Sequence, residues 1–362
     1  MVKGNKTWWL ILGLPLFVIL IFLTPRPIPE ETILKPRWIS SLELNEPIHL
    51  TDSVTQGGGK LFPFTLGTHF GFIGDDGYFS INQVRREYIS ISENMWAEYQ
   101  ALPSGIQILN PHNEEVLVIN NPKGYPIFLD NRVFILGSEQ NSITAINLTG
   151  DELWTFDFPA PITCIDAANG YLLAGTLDGL MILLDSRGNP VFPPFEPRGS
   201  RLSVILGCAI SQDASHLALI SGIDNQRFLL LEHIGDTYRV IHHEFLSEGF
   251  RRPVHINFVN NDTAVVFERE GGLGIYIINS RASVNINLDG EIVSLDSSGD
   301  GRFLFVLTSQ GPNEKRLITI RFPGIVISEA PFKSENVFLT RSGDTLYLGG
   351  DKVIASFELE QR

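Results

Sequence analysis

The hexapeptide Asp296–Gly301 comes closer to a metal-binding motif than the other turns considered in this sequence. Its sequence is Asp-Ser-Ser-Gly-Asp-Gly, with oxygen-bearing side chains at the first, third and fifth positions. A calcium loop needs oxygen ligands at alternate positions around a glycine bend. The twelfth position of such a loop supplies a bidentate glutamate, whereas this chain has Leu307 there. Asp and Gly also build tight hairpin turns. We therefore interpret the hexapeptide as a turn between two strands, and we predict no metal site.

The histidines and cysteines lack the spacing typical of metal or redox sites. His242 and His243 are neighbours, so on a strand they point to opposite faces and cannot share an ion easily. Cys164 and Cys208 belong to no Cys-x-x-Cys pair. Two such cysteines favour small, buried, unreactive thiols, with a structural disulfide as the alternative. The sequence has no Gly-x-Ser-x-Gly elbow and no phosphate loop, so we assign no catalytic residue and predict no cofactor.

Composition restricts the class of partner. The chain has 362 residues, of which 43% are hydrophobic and 19% charged, so it can bury a large core. Its formal net charge is −14. Nucleic acid and anionic lipid are bound by dense surfaces of lysine and arginine, and this chain has no such run. We therefore predict that nucleic acid is not a partner.

An apolar segment near the N-terminus predicts a membrane anchor. Residues 7–25 contain no charged side chain. As a helix, about 17 apolar residues rise roughly 25 Å, which is sufficient to cross the hydrocarbon core. A cleaved signal peptide is the alternative, but prolines at positions 25, 27 and 29 stand where a small-x-small cleavage site is expected. The segment is therefore interpreted as an uncleaved signal anchor.

The anchor divides the chain into four predicted regions. These are a short cytoplasmic tail (1–7), the transmembrane signal anchor (8–24), a stiff Pro-rich spacer (25–37) and a folded domain (38–362). The count of lysine and arginine on the two sides does not decide the orientation. A short basic start followed by a long domain is typical of a signal anchor. We therefore predict a single-pass membrane protein with an extracytoplasmic domain, on the periplasmic side of the inner membrane in a Gram-negative cell.

After the spacer, paired apolar runs recur at a regular interval. Each copy is an apolar strand, a turn of Asn, Asp, Gly or Ser, and a second apolar strand. The copies lie about 35 to 45 residues apart, which is the length of a four-stranded propeller blade. A weaker first copy lies within 64–82, and the six clear copies are 127–137, 164–175, 209–220, 256–267, 295–306 and 338–348.

This repeat predicts an all-β fold, a seven-bladed β-propeller. Eight blades are the alternative, because residues 50–125 are difficult to assign. A single blade cannot bury both faces of its sheet, whereas a closed ring of blades can. The last copy lacks its outermost strand, and the strand-like stretch Trp38–Leu50 precedes the first copy. We therefore expect Trp38–Leu50 to complete the last blade and close the ring.

Two turns resemble those of known propeller families. The stretch Ser142–Trp154 is similar to the repeat of pyrroloquinoline-quinone-like propellers, in which a strand with a central Ala leads to a Gly turn and a Trp that docks between blades. In the next copy, Gly179–Phe192, Phe192 stands where that Trp would be. Gln212-Asp-Ala-Ser and Ser298-Gly-Asp-Gly resemble the turns of WD-repeat and Tol-type propellers instead. The resemblance spans nearly all of residues 38–362.

The resemblance implies a fold more strongly than a function, because such folds host unrelated roles. The quinone-dependent dehydrogenases of the superfamily hold their cofactor on a Trp and a vicinal disulfide, and this chain has no adjacent cysteines. The resemblance therefore implies a role like that of the non-catalytic propellers of the cell envelope, for example the lipoprotein subunit of the outer-membrane β-barrel assembly machine. The anchor of this chain differs from a lipoprotein anchor.

Three functional hypotheses follow. We favour a non-enzymatic, membrane-tethered scaffold that binds protein partners on one face of the propeller. The alternatives are a propeller enzyme (a degenerate quinoprotein dehydrogenase, a hydrolase or a lyase) and a sensor of small molecules or glycans. The loops chosen as candidate partner contacts contain Arg198, Arg251, Arg252 and Lys315.

Overall fold

The computed structural model describes residues 33–44, 46–50, 59–246, 249–343 and 345–360. The chain divides into two units, Pro36–Glu358 and a second unit of residues 1–35 with 359–362; the fold given below is that of the larger unit. The predicted tail, the anchor at 8–24 and most of the spacer lie outside the described residues. Within the described ranges, none of the secondary structure is a helix of the length and hydrophobicity that crossing a bilayer requires.

Burial explains why the apolar runs form strands. In the sheet that contains Ile205–Ile210, the first two strands are almost continuously buried, because both of their faces pack against neighbouring sheets. The outermost strand of the same sheet, Thr237–Phe245, carries polar and charged residues and is half-exposed. The sequence therefore changes from continuous apolar runs to mixed runs along each sheet, as a radial arrangement requires.

In the described residues, the strands pair antiparallel into eight sheets, which we number as blades 1–8 in chain order. Blade 1 contains β3 (Leu61–Leu66), β4 (His69–Gly74) and β5 (Phe79–Val84), and blade 2 contains β6 (Tyr88–Ile91), β7 (Trp96–Tyr99), β8 (Gly105–Leu109) and β9 (Glu115–Asn120). Blade 3 contains β10 (Gly124–Leu129), β11 (Arg132–Gly137), β12 (Ser142–Ile146) and β13 (Glu152–Asp157), and blade 4 contains β14 (Ile162–Ala168), β15 (Tyr171–Thr176) and β16 (Met181–Leu184).

The remaining blades follow the same order. Blade 5 contains β17 (Ile205–Ile210), β18 (His216–Ser221), β19 (Arg227–Ile234) and β20 (Thr237–Phe245), and blade 6 contains β21 (Ile256–Val259), β22 (Ala264–Arg269), β23 (Gly272–Ile277) and β24 (Ala282–Asn287). Blade 7 contains β25 (Glu291–Ser297), β26 (Phe303–Ser309), β27 (Glu314–Arg321) and β28 (Ile325–Lys333). Blade 8 contains β29 (Val337–Ser342), β30 (Thr345–Gly350) and β31 (Val353–Glu360), joined by β1 (Ile33–Ser41) and β2 (Pro47–His49).

The prediction of seven blades is wrong, and the alternative of eight is confirmed. The six clear copies coincide with the first two strands of blades 3–8, and the weaker copy coincides with blade 1. The missing blade is blade 2, residues 88–120. Its first two strands have four residues each, and the turn between them, Ser92–Met95, contains neither Gly nor Asp. A pair of strands so short lacks the pattern on which the count depended.

Blade 1 runs in the opposite direction to its neighbour. Along β3, Phe62 packs against Tyr347 with ring centroids 4.4 Å apart, and Phe64 packs against Phe338 at 6.3 Å. Gly67, at the end of β3, lies beside Asn336, which precedes β29. The order of these contacts shows that β3 and β29 are antiparallel. Blade 1 is therefore inverted, and residues 50–125 could not be assigned by copying the pattern of the other blades.

The predicted closure of the ring is confirmed. In blade 8 the strand order is β2-β1-β31-β30-β29, so the N-terminal strands complete the sheet that the C-terminal strands begin. Trp38 of β1 is fully buried, and its Nε1 donates a hydrogen bond of 2.8 Å to the Asp75 carbonyl of blade 1. Ser40 Oγ donates one of 2.6 Å to the Gly77 carbonyl. The two ends of the propeller are thus held by packing and by directed hydrogen bonds.

Aromatic side chains pack between neighbouring blades elsewhere in the ring. Trp154 of blade 3 donates a hydrogen bond of 3.0 Å from Nε1 to the Ser186 carbonyl beyond blade 4, as the resemblance implied. Phe192, in the position of that Trp in the next copy, packs against Tyr238 of blade 5 with centroids 5.3 Å apart. Both side chains join one blade to the next, so Phe192 fulfils the packing role without the hydrogen bond.

Candidate functional site

The inner strands of blades 4–7 end around a cavity at the centre of the ring. Its volume is about 220 Å³, and Asp166, Asp262 and Asp296 are among its lining residues. It lies at the end of the ring where the first two strands of these blades are joined, by residues 169–170, 211–215, 260–263 and 298–302. We name this end the turn face and the opposite end the loop face. We name the space itself the mouth cavity.

Asp166 lies near the end of β14 and links blade 4 to blade 5. Its Oδ2 accepts a hydrogen bond of 3.0 Å from the Ile210 amide of β17, and its Oδ1 accepts one of 2.8 Å from the Ala167 amide. Burial raises the pKa of the Asp166 carboxyl above its usual value, although both hydrogen bonds act in the opposite direction. This carboxylate is therefore anchored to the backbone and costly to ionise.

Asp262 links blade 6 to blade 5 from the other side. Its Oδ2 accepts a hydrogen bond of 2.7 Å from the Gln212 amide. The turn that presents it, Asn260–Asp262, has φ values of 55°, 53° and 59°, a left-handed conformation that Asn and Asp tolerate better than most residues. Burial raises the pKa of the Asp262 carboxyl. Blade 5 thus receives one carboxylate from each neighbouring blade.

Asp296 faces Arg341 across the interface between blades 7 and 8. Arg341 Nε lies 3.5 Å from Asp296 Oδ1, and the Ser297 amide donates a hydrogen bond of 2.7 Å to the same oxygen. Burial raises the pKa of the Asp296 carboxyl, and this effect outweighs the opposing charge of Arg341. Arg341 Nη1 also donates to the Gly343 carbonyl at 2.7 Å. The ion pair is therefore part of the framework of the ring.

The hexapeptide Asp296–Gly301 forms the end of β25 and its turn to β26, as predicted. Ser298 Oγ donates a hydrogen bond of 2.6 Å to Asp300 Oδ1, and the Arg302 amide donates one of 3.0 Å to the same oxygen. The carboxylate oxygens that a cation would need are thus directed at the turn itself. Across the ranges that the structure describes, no three His, Cys, Asp or Glu side chains are grouped as metal ligands.

The same kind of contact joins blades 3 and 4. Asp130 Oδ2 accepts a hydrogen bond of 3.0 Å from the Gly170 amide, while Arg132 donates to the carbonyls of Gly170 and Tyr171, each at 2.9 Å. We call such a contact, from a side chain near the first turn of one blade to the backbone of a neighbouring blade, an inter-blade latch. Asp130, Asp166 and Asp262 provide these latches with carboxylates, which bind backbone amides strongly because they are charged.

The sequence contained a signal for part of this site that our prediction did not use. Ile165-Asp166 and Leu295-Asp296 both place a carboxylate near the end of an inner strand, within two residues of its last position. A charged residue at an otherwise apolar strand end, repeated at the same position of two copies, indicates a shared role. Arg341 and Asp262 carry no comparable signal, because their neighbours in space come from other blades.

The four predicted contact residues lie on the loop face. Arg198 and Arg251, in the connections that precede β17 and β21, are exposed. Arg252 forms ion pairs with the buried Glu268, at 2.6 Å, and with Glu291, at 3.1 Å. The four residues come from loops that are separate in sequence. Because successive strands are antiparallel, those loops lie at the same end of the ring.

Lys315 is the most enclosed of the four. Its side chain is buried, and Nζ donates hydrogen bonds of 3.0 and 2.6 Å to the carbonyls of Gly311 and Pro312. Arg252 lies over the Phe250 ring with its guanidinium carbon 4.6 Å from the centroid. Lys315 and Arg252 therefore shape the loop face from within, and Arg198 and Arg251 extend from it. Contact of any of the four with a partner stays a prediction.

Together, the eight sheets, the closure through β1 and the central mouth cavity define an eight-bladed β-propeller. The sequence model of the beta-propeller protein family matches residues 1–362, and the chain belongs to that family. It is similar to an uncharacterized protein of Treponema pallidum (strain Nichols), with 23% identity over 364 residues that cover 99% of this chain and 95% of the relative.

A solved structure supports the same fold. The crystal structure of BamB from Moraxella catarrhalis matches with a TM-score of 0.60 and 14% sequence identity, over 90% of this chain and 100% of that chain. At this level of identity the similarity shows the fold alone.

Proposed function

We propose that this chain is a non-enzymatic scaffold of the cell envelope, tethered to a membrane by residues 8–24, that binds a protein partner on the loop face of the propeller. The observation that carries the proposal is the convergence of Arg198 and Arg251 on that face from separate inter-blade connections. Arginine is enriched at protein interfaces and among the residues that contribute most to binding. The likeness to BamB and to non-catalytic envelope propellers supports this role.

The construction of the loop face suits recognition of a partner. Its connections are held to one another: the Arg201 amide donates to Asp224 Oδ1 at 3.1 Å, and Gln226 Nε2 donates to the Phe250 carbonyl at 3.2 Å. Loops fixed in this way lose little conformational entropy on binding. A preorganised surface of exposed arginines on a rigid ring is therefore well suited to an acidic or polar protein surface.

An enzyme is the second candidate, and a specific observation favours it. Asp166, Asp262 and Asp296 line one cavity, and burial raises the pKa of each carboxyl group. Perturbed carboxyl groups in a cavity are typical of catalytic acids and bases. The inter-blade latches offer a structural reason for the same features, because they require carboxylates at these positions. We therefore rank the scaffold first.

The scaffold is tested with two pairs of charge reversals in the full-length protein. The double variant R198E/R251E alters the loop face, and R187E/R281E alters two exposed arginines on the turn face as the matched control. After cross-linking in membranes and affinity purification, we expect R198E/R251E to reduce recovery of the main partner at least about tenfold, since interface arginines commonly contribute more than about 1 kcal/mol. The control should recover the partner as the unaltered protein does.

Two results would reject this proposal. Equal recovery by both double variants would show that the loop face is not the docking surface. Recovery of no partner by the unaltered protein, combined with turnover that D166N and D262N abolish, would favour the enzyme. The tether has its own measurement: the full-length protein should stay in the membrane fraction after an alkaline carbonate wash, and protease added outside intact spheroplasts should degrade the propeller.

A further inference from the structure

Cys164 and Cys208, the two cysteines of the chain, lie on the inner strands of adjacent blades. Cys164 belongs to β14 of blade 4, and Cys208 belongs to β17 of blade 5. Cys164 packs against the same apolar cluster that contains Cys208, and the Cys164 thiol is the neighbour that raises the pKa of Cys208 most. Both cysteines are free thiols in this structure. The two cysteine side chains are therefore neighbours at the interface between the blades.

Two inter-blade contacts hold the strands together on either side of this pair. Thr163 Oγ1, next to Cys164, donates a hydrogen bond to the Ile205 carbonyl of β17. Beyond the pair, the Ile210 amide donates to Asp166 Oδ2 at 3.0 Å. The backbones that carry the cysteines are consequently fixed relative to each other. A covalent link between the sulfur atoms would preserve the contacts already present.

A glycine provides the space that the Cys164 side chain occupies. Gly175 pairs with Cys164 in the register of β14 and β15. A Cβ atom at Gly175 would lie 2.7 Å from Cys164 Sγ and 2.4 Å from Ile205 Cγ2, closer than real side chains approach. The absence of that atom allows the thiol to lie at the interface and face Cys208.

The two thiols differ in their access to solvent. Cys208 is only 7% exposed, its Sγ lies 3.9 Å from the Leu173 carbonyl, and Cys164 is half-buried. The neighbouring Cys164 thiol and burial together raise the pKa of Cys208 well above its usual value. An oxidant from solution therefore reaches Cys164 first, because reactivity follows exposure and thiolate character.

We propose that Cys164 and Cys208 form a disulfide that joins blade 4 to blade 5 when the protein meets a small-molecule or protein disulfide as oxidant. The Cys164 thiolate attacks one sulfur of the oxidant, which forms a mixed disulfide and releases one thiol. Cys208 then loses its proton and attacks the Cys164 sulfur, which forms the Cys164–Cys208 bond and releases the second thiol. The two cysteines lose two electrons and two protons, and the oxidant's disulfide gains them.

The bond would change how the ring responds to heat. It closes a loop of about 45 residues in the unfolded chain, which restricts the unfolded state more than the folded one. We expect the Tm of the oxidised protein to rise by about 5 °C, since an effect of this size is diluted over a large domain. Reduction should return the Tm to its starting value.

The test uses the purified full-length protein equilibrated with oxidised and reduced glutathione. Because the chain has two cysteines, intact mass distinguishes every product: the predicted disulfide loses two hydrogen atoms, and a mixed disulfide gains a glutathionyl group. Peptide mapping without reductant should recover the Cys164 peptide joined to the Cys208 peptide. A mixed disulfide that persists on Cys164, or a disulfide between two copies of the chain, would overturn the proposal.

Single substitutions test the order of attack. C208S removes the resolving thiol, so Cys164 should accumulate the glutathione adduct. C164S leaves only the buried Cys208, which should react at least tenfold more slowly under the same conditions. An unchanged circular dichroism spectrum confirms that each variant folds. Equal adduct formation in the two variants would contradict the assigned roles, and the unaltered protein's peptide map still decides whether the disulfide forms.

Discussion

Blade 5 and blade 1 are held to their neighbours in the ring by different kinds of contact. Blade 5 has four strands, and both neighbouring blades latch onto its backbone through Asp166 and Asp262. Blade 1 has three strands and is inverted, and it meets blade 8 through Phe62 and Phe64. Two neighbouring blades of this propeller therefore require complementary apolar faces. The inner strand of a blade can run in either direction where no latch depends on that direction.

The difference also concerns how each interface resists disruption. Polar latches depend on the protonation of carboxyl groups and on exact partners. Aromatic packing depends on buried area and shape. The interface of blades 8 and 1 combines the aromatic contacts with the two hydrogen bonds from Trp38 and Ser40. Four substitutions test these contributions, and we give them from the largest expected effect to the smallest.

Trp38→Ala should produce the largest loss of stability. Trp38 is fully buried and lies 6.0 Å from the Tyr347 ring, and the smaller residue would leave a cavity and an unpaired Asp75 carbonyl. We expect a loss of about 3–5 kcal/mol in the free energy of unfolding, measured by urea denaturation. Trp38→Phe is the matched control, which keeps much of the packing and should cost less. A loss below about 1 kcal/mol for Trp38→Ala would show that closure does not depend on this residue.

Asp166→Asn should change how stability depends on pH. Because burial raises the pKa of Asp166 in the folded protein, ionisation costs the folded state more than the unfolded state. The stability of the unaltered protein therefore falls as pH rises from the ordinary Asp pKa through the raised one. Asn does not ionise, so the stability of the variant relative to the unaltered protein should increase as pH rises from the ordinary Asp pKa through the raised one.

Asp213→Asn provides the opposite case for comparison. Hydrogen bonds from the amide and side chain of Ser215, with one from Ser211, lower the pKa of Asp213 to about 2. Its contribution is present above the ordinary Asp pKa and is lost as pH falls toward that lowered value. The stability of this variant relative to the unaltered protein should therefore decrease as pH rises from about 2 to the ordinary Asp pKa, which lies below the pH range in which Asp166→Asn acts. If the two variants changed in the same direction, burial would not be the cause at Asp166.

Lys352→Ala should have the smallest effect of the four. Lys352 Nζ lies 2.6 Å from Glu43 Oε1, so the pair links the turn before β31 to the turn after β1, but both side chains are exposed. Water and salt screen such pairs, which commonly contribute little. We expect no measurable shift in the urea midpoint at physiological ionic strength. A clear shift would mean that closure depends on this surface pair as well as on the buried Trp38.

The regular blades were predictable because their pattern is local. An apolar strand, a polar turn and a second strand lie close in sequence, so the first two strands of blades 3–8 could be identified directly. The closing role of Trp38–Leu50 followed from an incomplete last blade. Blade 2 was missed because its strands β6 and β7 are too short to show a pattern, and the inversion of blade 1 depends on contacts that no local signal encodes.

The candidate site was less accessible to prediction, because it is assembled from several blades. Asp166 and Asp296 lie near the ends of their strands, and the sequence displays each as a charged residue after an apolar one. Their hydrogen-bond partners, Ile210 and Arg341, come from the following blade, about 45 residues away in sequence. The proximity of Cys164 and Cys208 is hidden for the same reason. Residues that meet only through the register of neighbouring blades need the structure before they can be paired.

The outer side of blade 4 has a consequence for solubility. Only three strands form this sheet, and the segment Pro190–Phe195 lies along β16, with Val191 and Phe195 donating amide hydrogen bonds to Leu183 and Met181. Pro193 and Pro194 have no amide hydrogen to offer a further strand. The two missing amide donors disfavour the addition of a strand from a second molecule along this edge, so the segment helps to protect an exposed strand edge against aggregation.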